Sequence, residues 1–303
     1  MAAHGAALDR SGQSITTLFQ QGNYAEVSLT HVQPELSGVE ATASGRQTGN
    51  IVRDYRTISG AIKFDLDPQI SFAVILDHPC GANVQYNRGT IFQSTTDDNV
   101  TTVRADAEAL TGLIRYKLTD SFSLHTGIKG QQIDAAVALR GAAFGGLDGY
   151  DVKFSRDVGF GFLVGGTIEA PEIGFRLALT YGTKIEHRLP TTESFGFGTV
   201  KRNPDPTIVH TPQYANLDFQ IGLAPGTLLF GSLRAVAWDG FDITPPALFA
   251  ASKSALVSYS NDDLTYSLGI GRRFSSSWFG AVEGGYEIRN GGFVSILGPT
   301  DGF

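Results

Sequence analysis

Eight basic residues fall on the polar side of alternating apolar and polar runs: Lys63, Arg115, Lys117, Lys129, Lys153, Arg176, Lys184 and Arg234. On a strand, successive side chains point to opposite faces, so parity places all eight on one inner face. A face rich in cations suits carboxylate head groups, because charge-assisted hydrogen bonds are the stronger kind. Arg234 is the one with apolar company. Leu228, Phe230, Val236 and Trp238 share its parity, while Leu229, Leu233 and Ala235 occupy the other face. Arginine is costly on a lipid-facing surface, so the Arg234 face should look inward. An apolar patch with one cation fits an amphiphile carrying a carboxylate. The ligand-binding candidates are therefore Arg234, Phe230, Trp238, Leu228 and Val236, with Lys129, Arg176 and Lys184 as further cations. A plainer reading has the cations pairing with Glu26, Asp65, Asp218 and Glu283 to brace a wall. On that reading the Arg234 patch contacts the N-terminal segment.

Other chemistries find little support. Gly159-x-Gly161, with Gly165 and Gly166, lies inside a strand pattern, whereas a dinucleotide site needs strand, turn and helix. The six histidines lack metal-ligand spacing, and the acidic pair Asp97-Asp98 lacks the alternating ligands of a calcium loop. No Ser/His pair stands out as a nucleophile. The expectation is no catalytic residue, no metal, no cofactor and no enzyme activity. Cys80 is the sole cysteine and cannot form an internal disulfide. A net charge of -7 argues against nucleic acid as a partner.

The elements that must position these residues are strands. From Tyr150 onward, Val152, Phe154, Val158, Phe160, Phe162, Val164 and Ile168 hold even positions. Lys153, Asp157, Gly159, Gly161, Thr167 and Glu169 hold odd ones, with Leu163 the large apolar exception. A turn at Ala170-Pro171-Glu172-Ile173 leads to Phe175, Leu177, Leu179, Tyr181 and Ile185, alternating with Arg176, Thr180, Lys184 and Glu186. This predicts a long hairpin over 150–189. The same pattern predicts strands at 24–32, 57–66, 69–77, up to 118, 121–133, 213–223, 227–238, 264–273 and 278–287, after one or two helical turns within 14–21.

Connections alternate between short and long. Short turns fall near 67, 119, 171, 225 and 275, with long loops between them, as in outer-membrane barrels. No run reaches the roughly 18–20 apolar residues of a membrane helix, so a membrane could be crossed only by a closed barrel. Tyr116, Phe122, Phe175 and Trp278 near short turns, and Tyr150, Tyr266 and Tyr286 near long loops, are candidate interface girdles. The fold class expected is an all-β, antiparallel transmembrane β-barrel with a short hatch at residues 1–22 and the barrel over 23–303. Eleven strands do not close a single-chain bacterial barrel, whose strand count is even. The residues before Phe303 do not alternate, so the barrel is expected to lack C-terminal strands. Met1-Ala2-Ala3-His4-Gly5 lacks the basic and apolar regions of a signal peptide, which reads as a processed start.

The chain resembles the long-chain fatty acid transporters of the FadL/TodX type. The resemblance rests on Ala7-Leu8-Asp9-Arg10-Ser11-Gly12-Gln13, Gly22-Asn23-Tyr24-Ala25-Glu26, and Leu229-Phe230-Gly231-Ser232-Leu233-Arg234 with Trp238. Leu268-Gly269-Ile270-Gly271-Arg272-Arg273-Phe274 and Gly298-Pro299-Thr300-Asp301-Gly302 complete it. It implies a barrel of fourteen strands, an N-terminal hatch in the lumen, and passive diffusion of hydrophobic molecules through an opening in the wall. Long-chain fatty acids or other hydrophobic small molecules would be the cargo. A monomer in the Gram-negative outer membrane, amid lipid and lipopolysaccharide and with its N-terminus on the periplasmic side, would be the setting. Two features depart from the family: the Asn-Pro-Ala segment of many hatches is absent, and the predicted strand at 69–77, kinked in the family, holds no Gly or Pro after Pro68. A general porin for polar solutes and an outer-membrane lipase are the alternatives.

Overall fold

A computed structural model describes residues 8–40, 42, 45–196, 198–288 and 296–297. Ala7 and the segment 298–303 lie outside the described residues. The elements are β1 (Tyr24–Val32), β2 (Tyr55–Asp65), β3 (Ile70–Asp77), β4 (Gly81–Gln85), β5 (Thr102–Lys117), β6 (Phe122–Leu139), β7 (Tyr150–Ala170), β8 (Phe175–Gly182) and β9 (Ile185–Leu189). They continue with β10 (Thr191–Phe195), β11 (Thr199–Arg202), β12 (Thr207–Thr211), β13 (Tyr214–Ala224), β14 (Thr227–Val236), β15 (Asp242–Ile243), α1 (Pro246–Ser252), β16 (Val257–Ser258), β17 (Asp263–Arg273) and β18 (Phe279–Ile288).

The main sheet runs β1-β2-β3-β5-β6-β7-β8-β13-β14-β17-β18, with every neighbouring pair antiparallel. These eleven strands are the eleven that alternation predicts, joined by short turns where the sequence places them. Among the described residues no pairing joins β18 to β1. The sheet nevertheless wraps around the N-terminal segment. Over residues 9–13, Asp9 pairs with Arg234 on β14, Ser11 donates to Asp77 on β3, the Gly12 carbonyl accepts from Asn216 on β13, and Gln13 accepts from Lys129 on β6. A segment so short reaches strands from distant parts of the sheet only if that sheet curves around it. The hatch therefore sits in the lumen, and its 3₁₀ turn, Thr16–Phe19, buries Leu18 and Phe19.

The outer surface is a band of exposed apolar side chains, from Val27 at 83% exposed, through Leu110 at 55% and Phe160 at 68%, to Val282 and Tyr286. Such a continuous apolar face would be untenable in water. Inward positions are instead small or polar, for example Ala73, Thr111, Ser123, Thr180, Thr265 and Ser267. Tyr116, Phe122 and Trp278 are exposed at the short-turn end, and Tyr266 and Tyr286 pair at 5.7 Å at the other, as the girdle reading expects.

One girdle residue is different. Tyr150 is 0% exposed and faces inward with Val152 and Phe154, while Lys153 lies on the outer side. The β6–β7 register shifts between Ile133 and Ala135, so an extra β7 residue bulges out near Ser155 and Arg156. A one-residue insertion flips all side chains beyond it. Parity counted from Val158 to Ile168 is thus inverted above the bulge, and both Tyr150 and Lys153 were placed on the wrong face by the sequence pattern.

The predicted hairpin arm ending at 189 also breaks. β8 stops at Gly182, and β9 turns into the lumen to pair with β12, with Val209 opposite His187. Lys184, at this break, is exposed. Ile185 packs over Gly159 and Gly161 of β7, which explains that glycine pattern. Above this hairpin, the buried carboxylate of Glu193 ties the loops together. It accepts from Tyr150 Oη at 2.7 Å, Asn203 Nδ2 at 2.6 Å, and the backbone N–H groups of Ala247 and Leu248 at the start of α1.

Candidate functional site

The β2–β3 ladder runs from Asp65 opposite Ser71 to Gly60 opposite Leu76 and stops there. It resumes in the same register further on: Val52 bridges Val84, Arg53 N–H bonds the Asn83 carbonyl at 2.9 Å, and Gln85 N–H bonds the Ile51 carbonyl at 2.8 Å. Between these points lie residues 54–59 on one side and 77–82 on the other. Residues 55–59 stay paired with β1. Residues 78–80 bend away, because three residues here face two on β5: Asp77 stands opposite Ala109 and Gly81 opposite Asp106. A bulge bends the strand that carries it, and Pro79, at its centre, has no N–H to give to a ladder. The wall therefore has a gap.

The hatch fills that gap from within. Asp9 bridges Cys80, Arg10 N–H bonds the Pro79 carbonyl at 2.9 Å, and Gly81 N–H bonds the Leu8 carbonyl at 2.8 Å. Residues 8–10 thus take the place that β2 would have held beside the bent strand. The kink lies just beyond the 69–77 stretch, in residues 78–80. The usable signal was Pro79, two residues past the predicted strand end.

Polar contacts hold the hatch there. Arg234 Nε donates to Asp9 Oδ2 at 2.5 Å and Arg234 Nη1 to Asn216 Oδ1 at 2.7 Å, with the guanidinium 4.4 Å from the Tyr214 ring centre. Both partners of the ion pair are buried. Lys129 Nζ donates to Tyr214 Oη at 2.9 Å and to Gln13 Oε1. Lower down, Phe19 lies between the Arg115 and Arg176 guanidinium groups, each 4.9 Å from its ring centre. Lys63 holds the carbonyls of Gln20 and Gly22 at 2.9 Å and pairs with Asp65. Arg115 pairs with Glu169.

The predicted patch is divided by this plug. Leu228, Phe230 and Arg176 line a cavity on the short-turn side of Arg234. Val236, Trp238 and Lys129 line another on its far side, where Trp238 packs against Phe241 at 5.1 Å and Tyr259 at 5.2 Å. Arg234 touches both, and its charge is taken up by Asp9. Lys184 lines neither. Sequence reasoning missed an apolar recess formed by Leu8 of the hatch with Val84, Val103, Val137, Phe154 and Leu256. Its residues come from well-separated stretches, so no local pattern announces it. In the loops, Asp97 accepts from Asn99 N–H at 3.0 Å and Nδ2 at 2.7 Å, and these bonds hold its carboxyl below the usual carboxylate range.

An antiparallel barrel wall around an N-terminal plug is the fold of the FadL/TodX-type outer-membrane channels. The chain is similar to the Pseudomonas putida toluene transporter TodX, with TM-score 0.65 and 13% identity over 99% of this chain and 86% of that one. It is similar to the Ralstonia pickettii toluene transporter TbuX, with TM-score 0.62 and 14% identity over 90% and 79%. It is also similar to a Pseudomonas aeruginosa FadL homologue, with TM-score 0.59 and 15% identity over 88% and 70%. No protein-family model and no curated protein sequence matches the chain.

Proposed function

We propose that the chain is an outer-membrane channel that passes hydrophobic molecules, long-chain fatty acids among them, by passive diffusion through the gap between β2 and β3. The observation that carries this is the gap itself: it opens the wall sideways, at the upper edge of the apolar band, and the hatch residue that closes it also lines an apolar recess. A solute leaving the membrane core would gain little by entering a wide aqueous pore. An apolar passage spares it that step, since burying each CH₂ is worth roughly 0.8 kcal/mol over leaving it in water. The TodX and TbuX structures are described as toluene transporters, which supports a hydrophobic cargo. A monomer with its short turns and N-terminus towards the periplasm completes the reading.

Uptake measurements test it. Cells expressing the chain should take up labelled oleate and toluene faster than cells without it, and liposomes carrying it should not swell in sucrose. Sucrose entry without hydrocarbon uptake would make it a porin for polar solutes instead. The membrane setting has its own test at Phe162, exposed in the middle of the apolar stretch of β7. Phe162→Arg should destabilise the protein folded in lipid vesicles by about 2–4 kcal/mol, read by denaturant titration. A change under 1 kcal/mol would mean that this face does not meet lipid.

A further inference from the structure

We propose that Arg10 is the head-group-recognition residue of this gap, binding the carboxylate of an amphiphile whose tail enters there. This rests on the channel reading above. Arg234, the cation with the most apolar company in the sequence, is already committed to Asp9 and Asn216.

Arg10 is placed differently. Its backbone pairs with Pro79 in the bent strand, and its guanidinium lies across the gap, 4.3 Å above the ring of Tyr55 on one lip and against Gly81 on the other. Any side chain at position 81 would collide with it. The side chain is only 7% exposed, yet its Nε is buried and donates to no partner among the described residues. A buried, unsatisfied guanidinium N–H costs free energy until an acceptor arrives. Arg10 also lines the cavity behind the gap, together with Tyr55, Thr57 and Asp77.

Its one ionic contact among the described residues can be given up. Arg10 Nη1 reaches Asp106 Oδ1 at 3.3 Å, but Asp106 Oδ2 already accepts from Arg104 Nε at 2.8 Å. If Arg10 turns to an incoming carboxylate, Arg104 still neutralises Asp106. The exchange leaves no carboxylate unpaired, and the fork geometry of a guanidinium suits bidentate capture of a carboxylate. Asp106 also lies above Leu110, where the apolar band begins, which is the depth a head group would occupy.

The test compares oleate with oleyl alcohol, which share a tail and differ in head group, by displacement of a fluorescent fatty-acid probe from the purified full chain in detergent. Arg10→Gln should weaken oleate binding about tenfold and leave the alcohol within twofold. Asp106→Asn, which frees Arg10, should strengthen oleate binding severalfold without changing the alcohol. A residue that only braces the hatch would weaken both ligands together in the first variant and give no gain in the second; either result overturns the inference. If the native chain binds neither ligand, the channel reading fails and the inference with it. If it binds both and Arg10→Gln leaves their ratio unchanged, the head-group role alone is lost.

Discussion

Arg234→Ala is expected to unseat the N-terminal hatch. Among the described residues the substitution removes the only cation paired with Asp9, whose carboxylate is 2% exposed and whose Oδ1 has no partner there. Breaking a buried ion pair from one side leaves an uncompensated charge and costs about 3–5 kcal/mol. The Asn216 carbonyl oxygen loses its donor as well, while its amide still holds Gly12. That cost falls on the docked state of residues 8–20, because the undocked segment can hydrate Asp9. Strand pairing elsewhere stays intact, so global unfolding should move less than hatch release. The measurement is hydrogen exchange at the Arg10 and Gly81 amides, which report the contact between hatch and bent strand. Exchange there should rise by about two orders of magnitude or more, at roughly tenfold per 1.4 kcal/mol, and single-channel conductance should appear as the plug leaves. The double variant with Asp9→Ala should recover part of the protection, since removing both partners leaves no lone charge. Unchanged protection in Arg234→Ala would show that Lys129, Asn216 and the Phe19 clamp suffice without the ion pair.

Gly159→Val should expel the inner hairpin of β9 and β12. A Cβ at position 159 would lie 2.5 Å from both the Glu186 carbonyl and Ile185 Cγ2, and 3.0 Å from the His187 ring. One of those atoms is backbone, so no rotamer change relieves the clash and the whole strand must move. Forced overpacking of this kind costs typically about 1–3 kcal/mol. His187 would lose its buried place between Gln131 and Asp157, with Nε2 3.4 Å from one and Nδ1 3.5 Å from the other. Amide exchange at Val209 and Leu189, buried in this hairpin, should accelerate about 5- to 150-fold, while the β13–β14 ladder should hold its protection. Equal acceleration in both ladders would mean a general loss of fold, and no acceleration would mean that the hairpin does not depend on the bare glycine surface.

Much of the wall was legible in the sequence because membrane-facing strands obey a period of two under a severe constraint. A residue such as Phe160 must be apolar outside and its neighbours Gly159 and Gly161 must be small or polar inside, so alternation survives without homologues. Short turns were legible for a similar reason: Asp67-Pro68 and Ala224-Pro225-Gly226 have few other conformations open to them. Parity also placed Arg234, Phe230, Arg115 and Lys129 on the inner face correctly, since the outer face would have charged several kcal/mol for each cation.

What tertiary structure decided is how inward residues are shared. Alternation says that Arg234 faces the lumen; it does not say that Asp9, two hundred residues earlier, is there to meet it. Nor could parity survive the bulge on β7, because an extra residue preserves the local pattern while reversing its meaning, and Tyr150 and Lys153 exchanged faces. Lys184 kept the alternating pattern of β8 although the chain had already left the wall, since β9 pairs with β12 by the same period. The gap beside Pro79 is the clearest case. A missing ladder is a relation between two strands and a third segment that replaces one of them, and only the folded chain brings residues 8–10, 54–59 and 77–82 together.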